Sequence, residues 1–402
     1  MISKQTIYNH KIEQILYGIL LSATLLFSQD LEYYINGQFT GWLTVNPEIA
    51  TQIGGRYIPA FNSRLMLSDE TMADLEASVN LYGFSSFKTL DKQYGEGDLR
   101  PYRVWGRVSG TAWEARLGLQ KINFGTALIL RPLMWFDSID PRDPIQLTEG
   151  VYALLGKYYF PNNANAWLWI LYGNEDPRGF DPFHSAPDEP EVGGRLQFPF
   201  LTGEIAFSTH YRTIDLQNNV LLNLMAGGNR VDEIRYGLDG KWDVEVGLWL
   251  EAAVIDRDFN FSAFRYQKLV TIGVDYTFAL GNGLHVSAEH LITETSGEIF
   301  TWGEAITLPI PIQSSDVTEQ QSLSAISVNY PFGLIDNLMI MLYSDWQGDQ
   351  LYSFINWERK FDSWSIYFMG FWNPDEQGLY QGISEINLFA GKGIQIMFVY
   401  NH

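Results

Sequence analysis

The stretch "KWDVEVGLWLEAAV", residues 241–254, decides how the chain is read. Its even positions, Trp242, Val244, Val246, Leu248, Leu250, Ala252 and Val254, are all apolar, while Lys241, Asp243, Glu245 and Glu251 sit at odd ones. Successive side chains of a strand point to opposite faces. One face is therefore an unbroken apolar ribbon and the other is largely charged. A soluble sandwich buries such a ribbon and wets the other face. A membrane-spanning barrel turns the ribbon to lipid and encloses the charged face in water.

The same alternation recurs along the chain. It predicts strands at 31–45, 49–67, 74–88, 101–109, 111–122, 150–160, 165–173, 191–199, 202–215, 230–239, 241–256, 266–280, 283–295, 322–331, 336–346, 350–359, 363–372 and 383–400, the last divisible in two around Gly391 and Gly393. Merging some pieces leaves 16 strands rather than 18, and both counts stay open. Helical periodicity is scarce; "DETMADLEAS" (69–78) could form a turn or two. Tight-hairpin chemistry marks "DGK" (239–241), "LGNGL" (280–284), "FGLIDN" (332–337), "GDQ" (348–350) and "KFDS" (360–363). Long connections fall at 126–149, 174–190, 216–229 and 296–321. Short turns alternating with long loops are the pattern of a transmembrane barrel.

Two stretches carry Trp-rich faces that a lipid-facing exterior would accept. "WSIYFMGFW" (364–372) places Trp364, Ile366, Phe368 and Trp372 together, against Tyr367, Met369 and Phe371. "NAWLWILYG" (165–173) places Trp167, Trp169 and Leu171 on one side, read here as lipid-facing. Closure into a barrel leaves no unpaired backbone in hydrocarbon. The expected fold class is all-β: a transmembrane antiparallel up-and-down β-barrel of about 16–18 strands with a long inward-folding loop.

Composition agrees. Aromatic residues make up 15 % of the chain, a supply suited to girdles at both bilayer interfaces. There is no cysteine, which excludes disulfides and thiolate chemistry. With 47 acidic against 26 basic residues the net charge is −21, so nucleic acid is excluded as a partner. Beyond residue 30 no apolar run is long enough for a membrane-spanning helix. Residues 1–29 read as a signal peptide: Lys4 and Lys11, the apolar run "ILYGILLSATLLF" (15–27), then cleavage near Ser28 or Gln29. Residues 30–402 are assigned to the barrel, and "LEYYINGQFTGWLTV" begins it directly as strand.

The richest chemistry lies between 100 and 150. In "RPYRVWGRVSG", Arg103, Trp105 and Arg107 share a face; in "TAWEARLGLQKINFG", Glu114, Arg116 and Gln120 share one. The segment "TALILRPLMWFDSIDPRDPIQLTEG" (126–150) adds Arg131, Asp137, Asp140, Arg142, Asp143 and Glu149, stiffened by three prolines. "RLGLQKINFGTALILRP" resembles the R-x-G-x-Q-x-I-x-x-G strand-to-loop signature of porin-like outer-membrane families, over about 20 residues. The ending "GIQIMFVYNH" resembles the closing strand of Gram-negative outer-membrane barrels, with Ile394, Ile396, Phe398 and Tyr400 on one face and Gln395 on the other; it departs from them in placing Asn401 and His402 after the aromatic.

The resemblance implies an outer-membrane channel for passive diffusion of small hydrophilic solutes, with outer-membrane lipid around it and a homotrimer as one open assembly. It implies that 126–149 folds into or over the barrel mouth, the other reading being an ordinary extracellular loop with paired surface charges. With the first comes a constriction in which the wall residues Arg103, Arg107, Glu114 and Arg116 face the loop residues Arg131, Asp137, Asp140, Arg142 and Asp143, fixed charges setting solute preference. Trp105 and Trp135 are candidates for stacking on a solute such as a sugar.

Other readings are kept beside it. One is a non-conducting barrel serving a secretion or adhesion machine as structural partner, with loops 216–229 and 296–321 as docking surfaces. Another is an outer-membrane hydrolase, but no G-x-S-x-G, H-E-x-x-H or P-loop occurs. His285 and His290 are five apart and face opposite sides, and His210 has no evident nucleophile. No enzyme activity, cofactor or metal is expected. The acidic loop "NEDPRGFDPFHSAPDEPE" (174–191) lacks EF-hand spacing and reads as a stiff solvated segment rather than a Ca²⁺ site. The glycines of "GGRLQF" (193–198) fit a turn or bulge at a strand start.

Overall fold

The computed structural model describes residues 31–89, 92–179, 181–259, 264–296, 318–374, 389 and 391–402. The segment read as a signal, 1–29, lies outside these residues, as does most of the 296–321 connection. The strands are β1 Leu31–Asn46, β2 Ala50–Ser68, β3 Thr71–Thr89, β4 Lys92–Ser109, β5 Trp113–Gln120, β6 Val151–Tyr159, β7 Asn165–Leu171, β8 His184–Ser185, β9 Glu191–Phe200, β10 Gly203–Asp215, β11 Arg230–Asp243, β12 Gly247–Arg257, β13 Tyr266–Phe278, β14 Leu284–Ser296, β15 Thr318–Pro331, β16 Asp336–Asp345, β17 Gln350–Lys360, β18 Trp364–Trp372 and β19 Lys392–Asn401. β8 is a two-residue piece paired to the end of β10. The other 18 form one antiparallel ring in chain order, β7 passing directly to β9.

Closure is made by β19 on β1, from Gln38 opposite Asn401 to Val45 opposite Ile394. Beyond that ladder Gly37 and His402 exchange both backbone hydrogen bonds at 3.0 Å, and the His402 ring stacks on Tyr57. The two residues that follow the terminal aromatic thus extend the seam. Connections sort by end: 69–70, 110–112, 160–164, 201–202, 244–246, 279–283, 332–335 and 361–363 are short turns at one end. All the long connections, 121–150 first among them, leave from the other.

The facing of side chains follows the alternation. In β12, Leu248 and Val254 are exposed outward while Trp249, Glu251, Ala253 and Ile255 are buried inside. At the closing strand Ile394, Ile396, Phe398 and Tyr400 face out, and Gln395, Met397 and Val399 face in. The outer face ends in aromatic pairs near the short turns, Tyr158–Phe160, Tyr276–Phe278 and Tyr330–Phe332, with ring centroids 4.8–4.9 Å apart.

Three expectations are corrected. The turn assigned to "DGK" is not there: β11 runs through Asp243, and the chain reverses at 244–246 with Glu245 at φ 94°. Asp243 pairs with Gly247, so partners across the hairpin share parity and odd residues stay inside on both strands. The alternation therefore runs unbroken through the turn and conceals it. In β7 the Trp face points inward: Trp169 is 1 % exposed and Leu168, on the other face, 72 %. Both faces of that strand are apolar, so periodicity could not orient it. The helical turn considered at 69–78 is the β2–β3 turn and the start of β3. The described part of the closing segment is the strand Lys392–Asn401; the rest of the 383–400 reading, with its division in two, falls on 383–388 and residue 390, outside the described residues.

The outward assignment is checked by placing a charge in the apolar band. Ile272, 55 % exposed in the middle of β13, replaced by Arg is expected to destabilise the bilayer-folded barrel by about 2–4 kcal/mol. Leu224→Arg, 78 % exposed on a loop helix, is expected to leave it unchanged within about 0.5 kcal/mol. Reversible denaturant titration in liposomes measures both.

Candidate functional site

The segment 121–150 leaves β5, crosses the interior and returns to β6, and it has almost no regular structure of its own. Its backbone N–H groups therefore need acceptors elsewhere. Two wall carboxylates supply them. Glu251 on β12 accepts from the N–H groups of Thr126, Ala127 and Leu133 at 2.8, 2.9 and 2.5 Å. Glu289 on β14 accepts from Leu128, Ile129 and Leu130 at 2.6, 3.0 and 2.5 Å, and from the Trp249 indole at 2.9 Å. Thr271 on β13 donates to the Leu130 carbonyl at 2.7 Å.

Around this attachment the loop packs. Phe124 stacks on Trp169 with centroids 5.5 Å apart, and Phe136 meets the His210 ring edge-on at 5.0 Å. His210 is fixed between Glu191 at 3.0 Å and the Trp169 indole at 3.1 Å, with no hydroxyl nucleophile on it. Gly193 allows the approach: a Cβ there would lie 2.6 Å from Trp169 Nε1, which is the use of the glycines in "GGRLQF". Across the lumen, Met341, Tyr343, Phe354, Met369, Phe371 and Met397 of β16–β19 face inward in the same apolar cluster as the loop.

The loop charges proposed for a constriction are largely paired within the loop. Arg131 lies 3.6 Å from Asp137 and donates to Asn123 at 2.5 Å. Arg142 pairs with Asp140 at 2.7 Å. Asp143 accepts from the N–H groups of Ile145 and Leu147 at 3.0 and 3.2 Å. Burial pushes the Asp137 and Asp143 carboxyls above the ordinary aspartate range, against the Arg131 charge in one case and the backbone N–H groups in the other.

On the wall the expected residues do come together. Arg107 sits between Asp74 at 2.8 Å and Glu114 at 3.2 Å, and Glu114 also holds Lys157 at 3.2 Å. Arg116 lies over the Trp105 ring at 4.5 Å. Arg103 donates to the Thr148 carbonyl at 2.8 Å, tying the loop's return to β4. Trp135 is 2 % exposed, with Phe124 and His210 against its ring, so it is a packing residue and offers a solute no free face.

A second inward loop was not foreseen. The segment 172–190 is held to the inner wall by buried ions: Asp181 pairs with Arg212 and Arg235, and Glu233 with Arg212, Arg235 and Arg257 at 2.6–2.7 Å. Arg178 reaches Glu191 at 2.7 Å. This corrects the reading of that loop as solvated. Asp188 and Glu189 do lie at the surface, paired with Arg230. Among the described residues no cluster of acidic, His or Cys side chains is arranged to hold a metal. The two inward loops interlock, since Ser138 accepts the Gly179 N–H at 3.1 Å and a Cβ at Gly179 would collide with the Met134 carbonyl. The 216–229 loop forms a short helix, α1 Val220–Ala226, with Asn219 capping it by accepting the Leu222 N–H. Sequence signals for the missed residues were faint: Glu251 is a single acid between Trp249 and Ala253 on the inner face of β12, and Glu289 a single acid among Ser287, Leu291, Thr293 and Thr295 on that of β14.

No protein-family description matches the chain, and no curated protein matches it. Solved structures do. OmpF of Salmonella typhi, solved in complex with daunomycin, is 10 % identical at a TM-score of 0.47, covering 92 % of this chain and 97 % of its own. In-vitro-folded OmpT of Vibrio cholerae, in its trimer form, is 12 % identical at 0.48, covering 93 % and 100 %. The fold of this chain, over the described residues, is an all-β, 18-strand antiparallel closed barrel.

Glu289→Ala leaves three loop N–H groups and the Trp249 indole without their acceptor. The expected outcome is local opening of 126–133 that is easier by about 3 kcal/mol or more, at roughly 1–3 kcal/mol per unsatisfied buried group. Native-state hydrogen exchange at those amides measures it.

Proposed function

We propose that this chain is an outer-membrane channel for passive diffusion of small hydrophilic solutes, with outer-membrane lipid against its outer face and no catalytic role. The observation supporting it is the sorting of side chains in a closed barrel: apolar outward, charged and hydrogen-bonded inward. At this strand number a barrel is wide enough for an aqueous path. In the proposal Arg103, Arg107, Glu114 and Arg116 set the field on the wall, and Trp105 is the aromatic surface for a solute. The loop residues Arg131, Asp137, Asp140, Arg142 and Asp143 set the width, because their charges hold the loop's shape. A homotrimer is the assembly proposed.

A second reading, the non-conducting structural partner, draws support from the apolar cluster that joins the loop to β16–β19 across the interior. Planar-bilayer recording separates the two. Stepwise current from folded protein supports the channel; silence supports the partner. For a channel, charge reversal at Arg107 and Arg116 is expected to move the reversal potential toward cation preference in a salt gradient. An unchanged potential would remove these residues from the constriction.

A further inference from the structure

Most guanidinium groups inside the barrel have a carboxylate partner. Arg107 has two, Arg195 holds Asp239 at 2.5 Å, and Arg178, Arg212, Arg235 and Arg257 share the acids beneath the second loop. On the β2–β5 wall three make no ion pair among the described residues: Arg56, Arg103 and Arg116. Arg56 pairs across the sheet with Thr40 and Tyr82, and it shares an inward face with buried Gln52. Its guanidinium lies against the rings of Trp42 and Tyr82, at 5.8 and 5.6 Å. Arg103 lies 4.0 Å over Tyr102. The Nε–H groups of Arg56 and Arg116 have no acceptor.

Most nearby acids are already engaged, Glu149 with Arg100 at 3.6 Å among them. Glu114 lies between Arg107 and Lys157, Asp143 accepts from its own loop, and Glu76 takes the Ser78 hydroxyl at 3.4 Å without coming within ion-pair reach of an arginine. An aromatic ring orients a guanidinium without taking up its edge donors; Arg103 spends two of its own on the Tyr102 and Thr148 carbonyls and brings its uncompensated charge, while Arg56 and Arg116 keep an open Nε–H. A partly buried charge with no counter-charge is costly, and an incoming anion relieves that cost. The guanidinium fork matches the paired oxygens of a carboxylate or phosphate.

We infer that Arg56, Arg103 and Arg116 form an oxyanion-attracting strip along the β2–β5 wall, so that this barrel favours small carboxylate- or phosphate-bearing solutes although the chain is acidic overall. The inference rests on the channel reading and names its solute class. Arg56 is the specificity residue it adds.

The test uses the full chain in planar bilayers, with folding verified by heat-modifiable gel mobility. Under a roughly tenfold KCl gradient the wild type is expected to show the reversal potential of chloride preference. Arg56→Gln and Arg103→Gln are each expected to move it toward zero, and together to roughly halve it. Inorganic phosphate is expected to reduce the wild-type chloride current and to affect Arg56→Gln less. Lys268→Gln, at an exposed pair with Glu294, is the control and is expected to change nothing. Cation preference, or a potential that ignores both arginine variants, overturns the inference and leaves the channel reading standing. A folded but silent protein overturns both.

Discussion

A chain that turns into the interior of its own barrel gives up the sheet ladder, and its N–H groups must be satisfied where acceptors are few. Here Glu251 and Glu289 meet that requirement, taking six consecutive-segment N–H groups between them. An ionised carboxylate has about four lone-pair sites, and Glu289 uses them on three amides and an indole. The local sequence fits the need. Gly125, at φ +100°, is placed so that a Cβ would lie 2.5 Å from Glu251 Oε2, and no larger residue lets the backbone approach so closely. From this fixed segment the loop can turn back to set Trp135 and Phe136 against His210, and then travel to Arg103 on the far wall.

The ion network under 172–190 does the same work by different chemistry. Glu233 and Asp181 are each enclosed by the same three arginines, Arg212, Arg235 and Arg257, all nearly solvent-free. A buried pair contributes little net stability when complete, but removing one member strands the rest at about 3–5 kcal/mol. The network therefore specifies where the loop lies more than it strengthens the barrel. Because Gly179 seats against Met134, the position of one loop constrains the other. The interior thus divides into a charged side on β9–β12 and an apolar side on β16–β19, with the 121–150 loop bridging them.

The fold was largely legible because burial in this architecture follows parity. Residues 241–254 showed it, and so did the closing strand. Legibility failed where parity carried no contrast or too much. At 165–171 both faces are greasy, since the inner face packs on Phe124 and Phe136. At 244–246 a three-residue turn preserved parity and so left no mark. The wall arginines 103, 107 and 116 were visible as polar residues at strand spacing. Glu251 and Glu289 were not, because an acid that accepts backbone N–H groups has no sequence-local partner to announce it. The buried network was hidden for the same reason: Asp181 meets Arg212 and Arg235 only after the loop folds inward.

The whole-chain charge of −21 is a poor guide to the interior, and the pairing explains why. An acid locked to an arginine adds little field at the scale of a passing ion, because its charge is matched within a few ångströms. Many inner acids are in that state: Asp74, Glu114, Asp181, Glu191, Glu233 and Asp239 are each held by arginine. Exposed acids such as Asp188 and Glu189 lie on the outer loops. What remains to colour the inner wall is the small set of charges without a match, and among the described residues of β2–β5 Arg56, Arg103 and Arg116 outnumber the unmatched Glu76. Pairing decides the local sign, and composition records the total.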